Sequence, residues 1–129
     1  MPTITMFGTK GGTGRTTAAT AIARGMLARG LRVTLVETQS DDQPLARWCT
    51  KLNLSDLGAG DLFHHNCTSP SDIDLLMQLS GSNDQHAIIF DTASCVSAVR
   101  TYAFELADVV LMPFTGFLDA EDGISKASA

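Results

Sequence analysis

Thr3-Ile4-Thr5-Met6-Phe7-Gly8-Thr9-Lys10-Gly11-Gly12-Thr13-Gly14-Arg15-Thr16-Thr17 lies at the start of the chain and decides how the rest is read. Residues 3–7 alternate β-branched and apolar side chains and stop at Gly8, the pattern of a strand. From Gly14 to about residue 29, apolar side chains recur at Ala18, Ile22, Ala23, Met26 and Leu27, a helical spacing that Gly30 ends. A glycine string between a strand and a helix lets backbone N–H groups turn inward, and the helix N-terminus adds its partial positive charge. That placement is what makes such a string a phosphate site. The competing reading is a turn that needs its glycines for geometry alone.

Working outward, residues 32–36 (Arg-Val-Thr-Leu-Val) read as a second strand ending on Glu37. Residues 41–44 read as a polar turn, and 45 to about 52 as a short helix. Residues 55–69, with Gly58, Gly60 and many polar side chains, are expected to be loop-rich. Ser71-Asp72 reads as a cap for a helix over 73–79. Ala87-Ile88-Ile89-Phe90 is wholly apolar and ends at Asp91, as a strand buried on both faces would. Residues 96–106 read as a helix and 109–112 as another buried strand closed by Pro113. A last helix is expected to begin near Asp119. Strands alternating with helices give right-handed crossovers and a mainly parallel sheet. The expected architecture is a three-layer α/β unit with about four central strands, a single domain over 1–129.

Composition narrows the class. With 129 residues, 44% hydrophobic and 18% charged, the chain suits one globular domain. No apolar run approaches the roughly 18–20 residues needed to span a bilayer, and the N-terminus lacks the basic start of a signal peptide. Cys49, Cys67 and Cys95 are odd in number and scattered, so reduced thiols in a cytoplasmic protein are expected. A net charge of −5, with nine Lys and Arg, argues against a basic DNA-binding surface.

The strict phosphate-loop pattern G-x-x-x-x-G-K-[ST] fails here, because its first glycine falls on Thr9 and its lysine on Arg15. Lys10-Gly11-Gly12-Thr13-Gly14-Arg15-Thr16-Thr17 instead resembles the deviant Walker A box, K-G-G-x-G-K-[ST]-T, of the ParA/MinD family of partition and positioning ATPases. Ile88-Ile89-Phe90-Asp91-Thr92-Ala93 is similar to that family's Walker B-type strand and D-T-A turn. Ala107-Asp108-Val109-Val110-Leu111-Met112-Pro113 resembles its A-D-x-V-L-I-P strand, and Leu118-Asp119 the L-D opening the next helix. Gln43-Pro44-Leu45-Ala46-Arg47-Trp48 looks like the branch with the virulence C protein that assists T-DNA transfer, whose members act in plasmid partition or conjugative DNA processing.

The resemblance implies a P-loop NTPase-like fold that binds ATP and Mg²⁺ and switches as a nucleotide-dependent homodimer, with a protein partner from a partition or transfer system. It implies that Lys10 reaches phosphate across the dimer and that Gly11, Gly12, Thr13, Gly14 and Arg15 cradle phosphate. Thr16 would then hold Mg²⁺ together with Asp91, and Thr17 would reach the α-phosphate. Lys10 and Arg15 are the catalytic candidates. It also implies that the fold is incomplete on its C-terminal side.

Two departures bear on turnover. Arg15 stands where the family has lysine, putting a planar fork in place of a compact ammonium. Glu37-Thr38-Gln39 stands where the family has D-x-D, and Gln39 cannot act as the acid that orients water. Phosphoryl transfer rests on positioning and electrostatics, so binding is expected to outlast hydrolysis. The alternative is a non-hydrolysing interaction module of the same fold.

Other readings carry less. A kinase lid would need clustered arginines, and residues 53–86 contain none. His64-His65-Asn66-Cys67 lacks a second ligand pair and reads as a polar loop rather than a zinc site. Cys95 has no base at motif spacing and reads as a structural thiol. Trp48 reads as core. Asp41 and Asp42 read as a solvated turn, with Mg²⁺ or water positioning as the alternative.

Overall fold

The computed structural model describes residues 1–8, 14–39, 43–52, 60–81, 83–93, 97–113 and 124–125. The elements run β1 (Thr3–Met6), α1 (Arg15–Ala28), β2 (Arg32–Glu37), α2 (Pro44–Lys51), β3 (Asp61–Asn66), α3 (Pro70–Ser80), β4 (His86–Asp91), α4 (Ala98–Leu106) and β5 (Val109–Leu111). The five strands form one sheet in the order β3-β2-β4-β1-β5, and each neighbouring pair is parallel. The expected three-layer α/β architecture with a parallel sheet is what forms.

Alternation of side chains across the strands builds two cores. Ile4 and Met6 of β1, Val33 and Leu35 of β2 and Ile89 of β4 pack with Ala19, Ala23 and Leu27 of α1 and Leu45 of α2. On the other face Val36, Ile88 and Phe90 meet Ile73 and Leu76 of α3 and Val99 and Ala103 of α4. Strand β4 is buried at every position, which matches its unbroken apolar run. The threonines of β1 face α4. Thr5 Oγ1 donates to the Ala103 carbonyl at 2.8 Å and Thr3 Oγ1 to the Leu106 carbonyl at 2.9 Å. Buried hydroxyls thereby satisfy carbonyls in the C-terminal half of a helix. Trp48 packs against the first core, as expected.

Four expectations change. Strand β5, expected to be buried, has no buried position and leaves Val109 48% exposed, because it lies at an edge of the described sheet. Residues 61–66, read as loop, form a fifth strand. Their sequence, Asp-Leu-Phe-His-His-Asn, alternates between exposed and half-buried positions at the sheet edge, so polar residues replace the apolar run that marks an interior strand. The cap of α3 is Ser69, not Ser71. Its hydroxyl accepts from the Asp72 amide, and Asp72 returns a bond to the Ser69 amide, closing a capping box. Helix α4 begins at Ala98 rather than 96, capped by Ser97, whose hydroxyl accepts from the Arg100 amide at 3.2 Å.

Gly60 explains why β3 can start where it does. A methyl group there would collide with the Leu31 carbonyl and press on the Leu27 backbone. Only a glycine lets this strand approach the end of α1 so closely. The expected helix near Asp119, the L-D segment, Cys95 and the Asp41-Asp42 pair lie outside the described residues.

Candidate functional site

The carboxyl ends of β1, β2 and β4 come together where α1 begins. In open parallel sheets this rim is where ligands bind. Helix α1 starts from Gly14, whose φ of 90° lies in the left-handed region. A side chain there would be strained, which is why the motif needs glycine at this position. The first turn of α1 contains no acidic residue and its N-cap makes no side-chain hydrogen bond. The partial positive charge of this end is therefore left uncompensated by its own capping chemistry.

Thr16 and Asp91 meet at this rim. Thr16 Oγ1 donates to Asp91 Oδ2 at 2.6 Å, joining α1 to the end of β4. Asp91 is 7% exposed. Burial raises its carboxyl above the ordinary value of 3.8; the Thr16 hydroxyl and the Arg15 charge pull it back, and Glu37 adds to the rise. A desolvated carboxylate beside a hydroxyl is a hard-oxygen donor set of the kind Mg²⁺ takes. The residues present fit a divalent cation.

Arg15 folds back. Its Nη1 donates to the Gly8 carbonyl at 2.8 Å, and its side chain lies against Gly8 closely enough that a methyl there would meet it at 3.3 Å. The guanidinium thus ties the strand end to the helix start across the base of the loop. Thr17 is exposed in the first turn. Lys10, Gly11, Gly12 and Thr13 lie outside the described residues.

Hydroxyls brace the rim. Thr92 Oγ1 donates to the Met6 carbonyl at 2.6 Å, and Thr38 Oγ1 accepts from the Ala93 amide at 3.1 Å. These bonds lock the turn after β4 to the ends of β1 and β2. Arg100, buried, sets its guanidinium 4.7 Å from the centroid of Phe7, whose ring also packs on Phe104.

Glu37 is the site residue with the most unforeseen role. It is 1% exposed and pairs with Asp91 in the β2–β4 register. Its carboxylate accepts from the Leu45 amide at 2.8 Å and the Ala46 amide at 3.3 Å, and His64 Nε2 lies 2.7 Å away. Glu37 therefore holds the first turn of α2, which has no side-chain cap of its own. Its isolated acidic character at a strand end was visible in sequence. Its partners, distant along the chain, were not. Gln39 offers its carbonyl to the Asn66 amide group at 2.7 Å.

His64 is thus engaged by Glu37, His65 is exposed on the edge strand, and Cys67 is buried in the second core. Among the described residues no three His, Cys, Asp or Glu side chains cluster as metal ligands. Burial pushes the thiols of Cys49 and Cys67 up to about 11. No described helix is long and apolar enough to cross a membrane.

A sequence profile of the CobQ/CobB/MinD/ParA nucleotide-binding domain matches residues 4–110. The chain belongs to this family of ParA/MinD-type nucleotide-binding domains. Comparison with curated proteins gives no significant sequence match. Among solved structures, the fold is similar to pNOB8 ParA bound to nonspecific DNA, with a TM-score of 0.66, 20% identity, and coverage of 96% of this chain and 57% of the other. It is also similar to the kinase domain of the Escherichia coli tyrosine kinase ETK, with a TM-score of 0.61, 14% identity, and coverage of 98% and 60%. The chain therefore spans about three fifths of each of these structures.

Proposed function

We propose that residues 1–129 form a single unit that binds ATP with Mg²⁺ and serves as a nucleotide-dependent dimer switch in DNA partition or conjugative transfer. The observation that carries this reading is the meeting of Thr16 and Asp91 beside the Gly14 start of α1. Thr16 and Asp91 would hold Mg²⁺, directly or through water. The metal would supply charge neutralisation for the phosphates. Backbone amides at 11–15 cradle the phosphates, Thr17 reaches the α-phosphate, and Lys10 contributes its charge across the dimer.

Arg15 supports binding more than turnover. Its contact with the Gly8 carbonyl keeps the loop ends together, whereas a lysine at this place would extend an ammonium toward the transferred group. Glu37, held by α2 and His64, is not arranged as a base for water. These two features favour the second reading within the same fold, a non-hydrolysing interaction module that binds nucleotide.

Membership in a family that includes ParA and a likeness to a ParA solved on DNA support the partition or transfer role. Binding of a fluorescent ATP analogue that unlabelled ATP displaces and chelation of Mg²⁺ abolishes tests the reading. An analogue that does not bind, or that ATP fails to displace, refutes it. Phosphate release by wild type and by Arg15→Lys separates switch from module: turnover gained only in Arg15→Lys supports the module.

A further inference from the structure

Strand β3 ends the sheet, and among the described residues no strand pairs with its outer side. The Cys67 amide donates to the Glu37 carbonyl at 2.8 Å. In a parallel ladder alternate residues bond the same neighbour, so the backbone groups of Phe63 and His65 face β2 and those of Leu62 and His64 face outward. The side chains of Asp61, Phe63 and His65 share the face covered by α3, because β3 runs in register with Arg32, Thr34 and Val36. Phe63 is 45% exposed and, with His65 and the 77% exposed Leu79, lines an open cleft of about 190 Å³. The Arg32 guanidinium stands 5.7 Å from the Phe63 ring centroid, and the backbone edge beside the ring has no strand partner among the described residues.

The geometry points to a second copy of this chain as the partner of that edge: two β3 strands pair antiparallel about a two-fold axis through Phe63 and join two sheets into one. A two-fold axis normal to the sheet preserves its faces, so only residues of the same face can lie opposite each other. With the axis at Phe63, that residue opposes its own copy, Leu62 opposes His64, and Asp61 opposes His65.

The outward backbone groups of Leu62 and His64 then make the hydrogen-bonded pairs. Phe63 with Phe63 and Asp61 with His65 fall at the non-hydrogen-bonded positions, where Cα atoms approach to roughly 4.5 Å and side chains touch. Each end of the junction sets an imidazole against the Asp61 carboxylate, which also pairs with Arg32 of its own chain at 3.7 Å, and an aromatic pair fills the centre. An axis at His64 would oppose Phe63 to His65 and Leu62 to Asn66, losing both the aromatic pair and the carboxylate–imidazole pair. The strand is six residues long, so the junction is small and the association is weak and reversible.

Sedimentation velocity over a wide concentration range, without nucleotide, tests this independently of any nucleotide-driven dimer. Wild type should show a reversible monomer–dimer equilibrium. His65→Asp opposes two carboxylates at each end and should weaken it by about tenfold. The double variant Asp61→His with His65→Asp restores the pairing in exchanged form and should recover it. Phe63→Cys, under mild oxidation, should cross-link to its own copy while wild type under the same oxidant does not. Wild type that stays monomeric at every concentration overturns the proposal. So does a dimer that ignores His65→Asp and gives no cross-link at position 63. All of these positions are exposed, so the variants should retain the fold, which circular dichroism checks.

Discussion

Thr16 Oγ1 donates to Asp91 Oδ2 across 2.6 Å, although 75 positions separate the two in sequence. One residue lies in the first turn of α1 and the other ends β4, next to β1 in the sheet. The contact places a hydroxyl and a buried carboxylate beside the glycine loop, and the consequences for stability and ligand binding can be separated.

Asp91 carries a stability cost. Because its folded value lies above the ordinary 3.8, the native state holds the proton longer than the unfolded chain does. Stability from this group is present at low pH and lost as pH rises from about 3.8 through the raised folded value. Asp91→Asn should therefore stabilise the ligand-free protein at neutral pH by about 1 kcal/mol. The advantage should shrink toward acidic pH, and Mg²⁺-dependent nucleotide affinity should be lost. Urea melts of both proteins across pH, alongside binding, check the pair of effects.

His86 works in the opposite direction. It is buried and its Nε2 lies 2.8 Å from Thr34 Oγ1. Burial, then the charges of Arg32 and the N-terminus, lower its value from 6.5. The unfolded chain thus takes up a proton that the folded one resists, so stability falls as pH drops below about 6.5. His86→Gln should flatten the pH dependence of the urea midpoint in this window. An unchanged slope would contradict the assignment.

Glu37 should prove structurally expensive to remove. Glu37→Ala leaves the amides of Leu45 and Ala46 and the His64 ring without their acceptor, a loss of about 2–3 kcal/mol. Glu37→Gln, which keeps one oxygen, should lose less. Chemical denaturation measures both, and equal losses would mean the one oxygen that Gln retains rescues none of these contacts.

Gly60→Ala should destabilise by about 1–3 kcal/mol, because the added methyl meets the Leu31 carbonyl rather than a side chain that can move aside. Thermal or urea unfolding reads this directly, and a neutral substitution would mean β3 can shift away from α1 at no cost.

Much of the fold was legible because its signals are local. The apolar run 87–90 marks a strand buried on both faces, and Gly14 and Gly30 bound a helix of correct spacing. Thr16 and Asp91 were legible as partners only through the family resemblance, since no local pattern joins positions so far apart. Strand β3 was hidden because an edge strand needs polar residues outward, and Asp-Leu-Phe-His-His-Asn has the composition of a loop. The work of Glu37 was hidden for a different reason. Its partners lie on α2 and β3, and only the sheet register and helix packing bring them to one carboxylate.

Calorimetric titration of ATP with Mg²⁺ into wild type and into Thr16→Ala tests the nucleotide site most directly. Saturable binding by wild type, abolished by chelation and at least about tenfold weaker in Thr16→Ala, is the result expected when one metal-holding hydroxyl is lost. Wild type with no measurable ATP affinity, or a Thr16→Ala variant that binds ATP with Mg²⁺ as tightly as wild type, would contradict it.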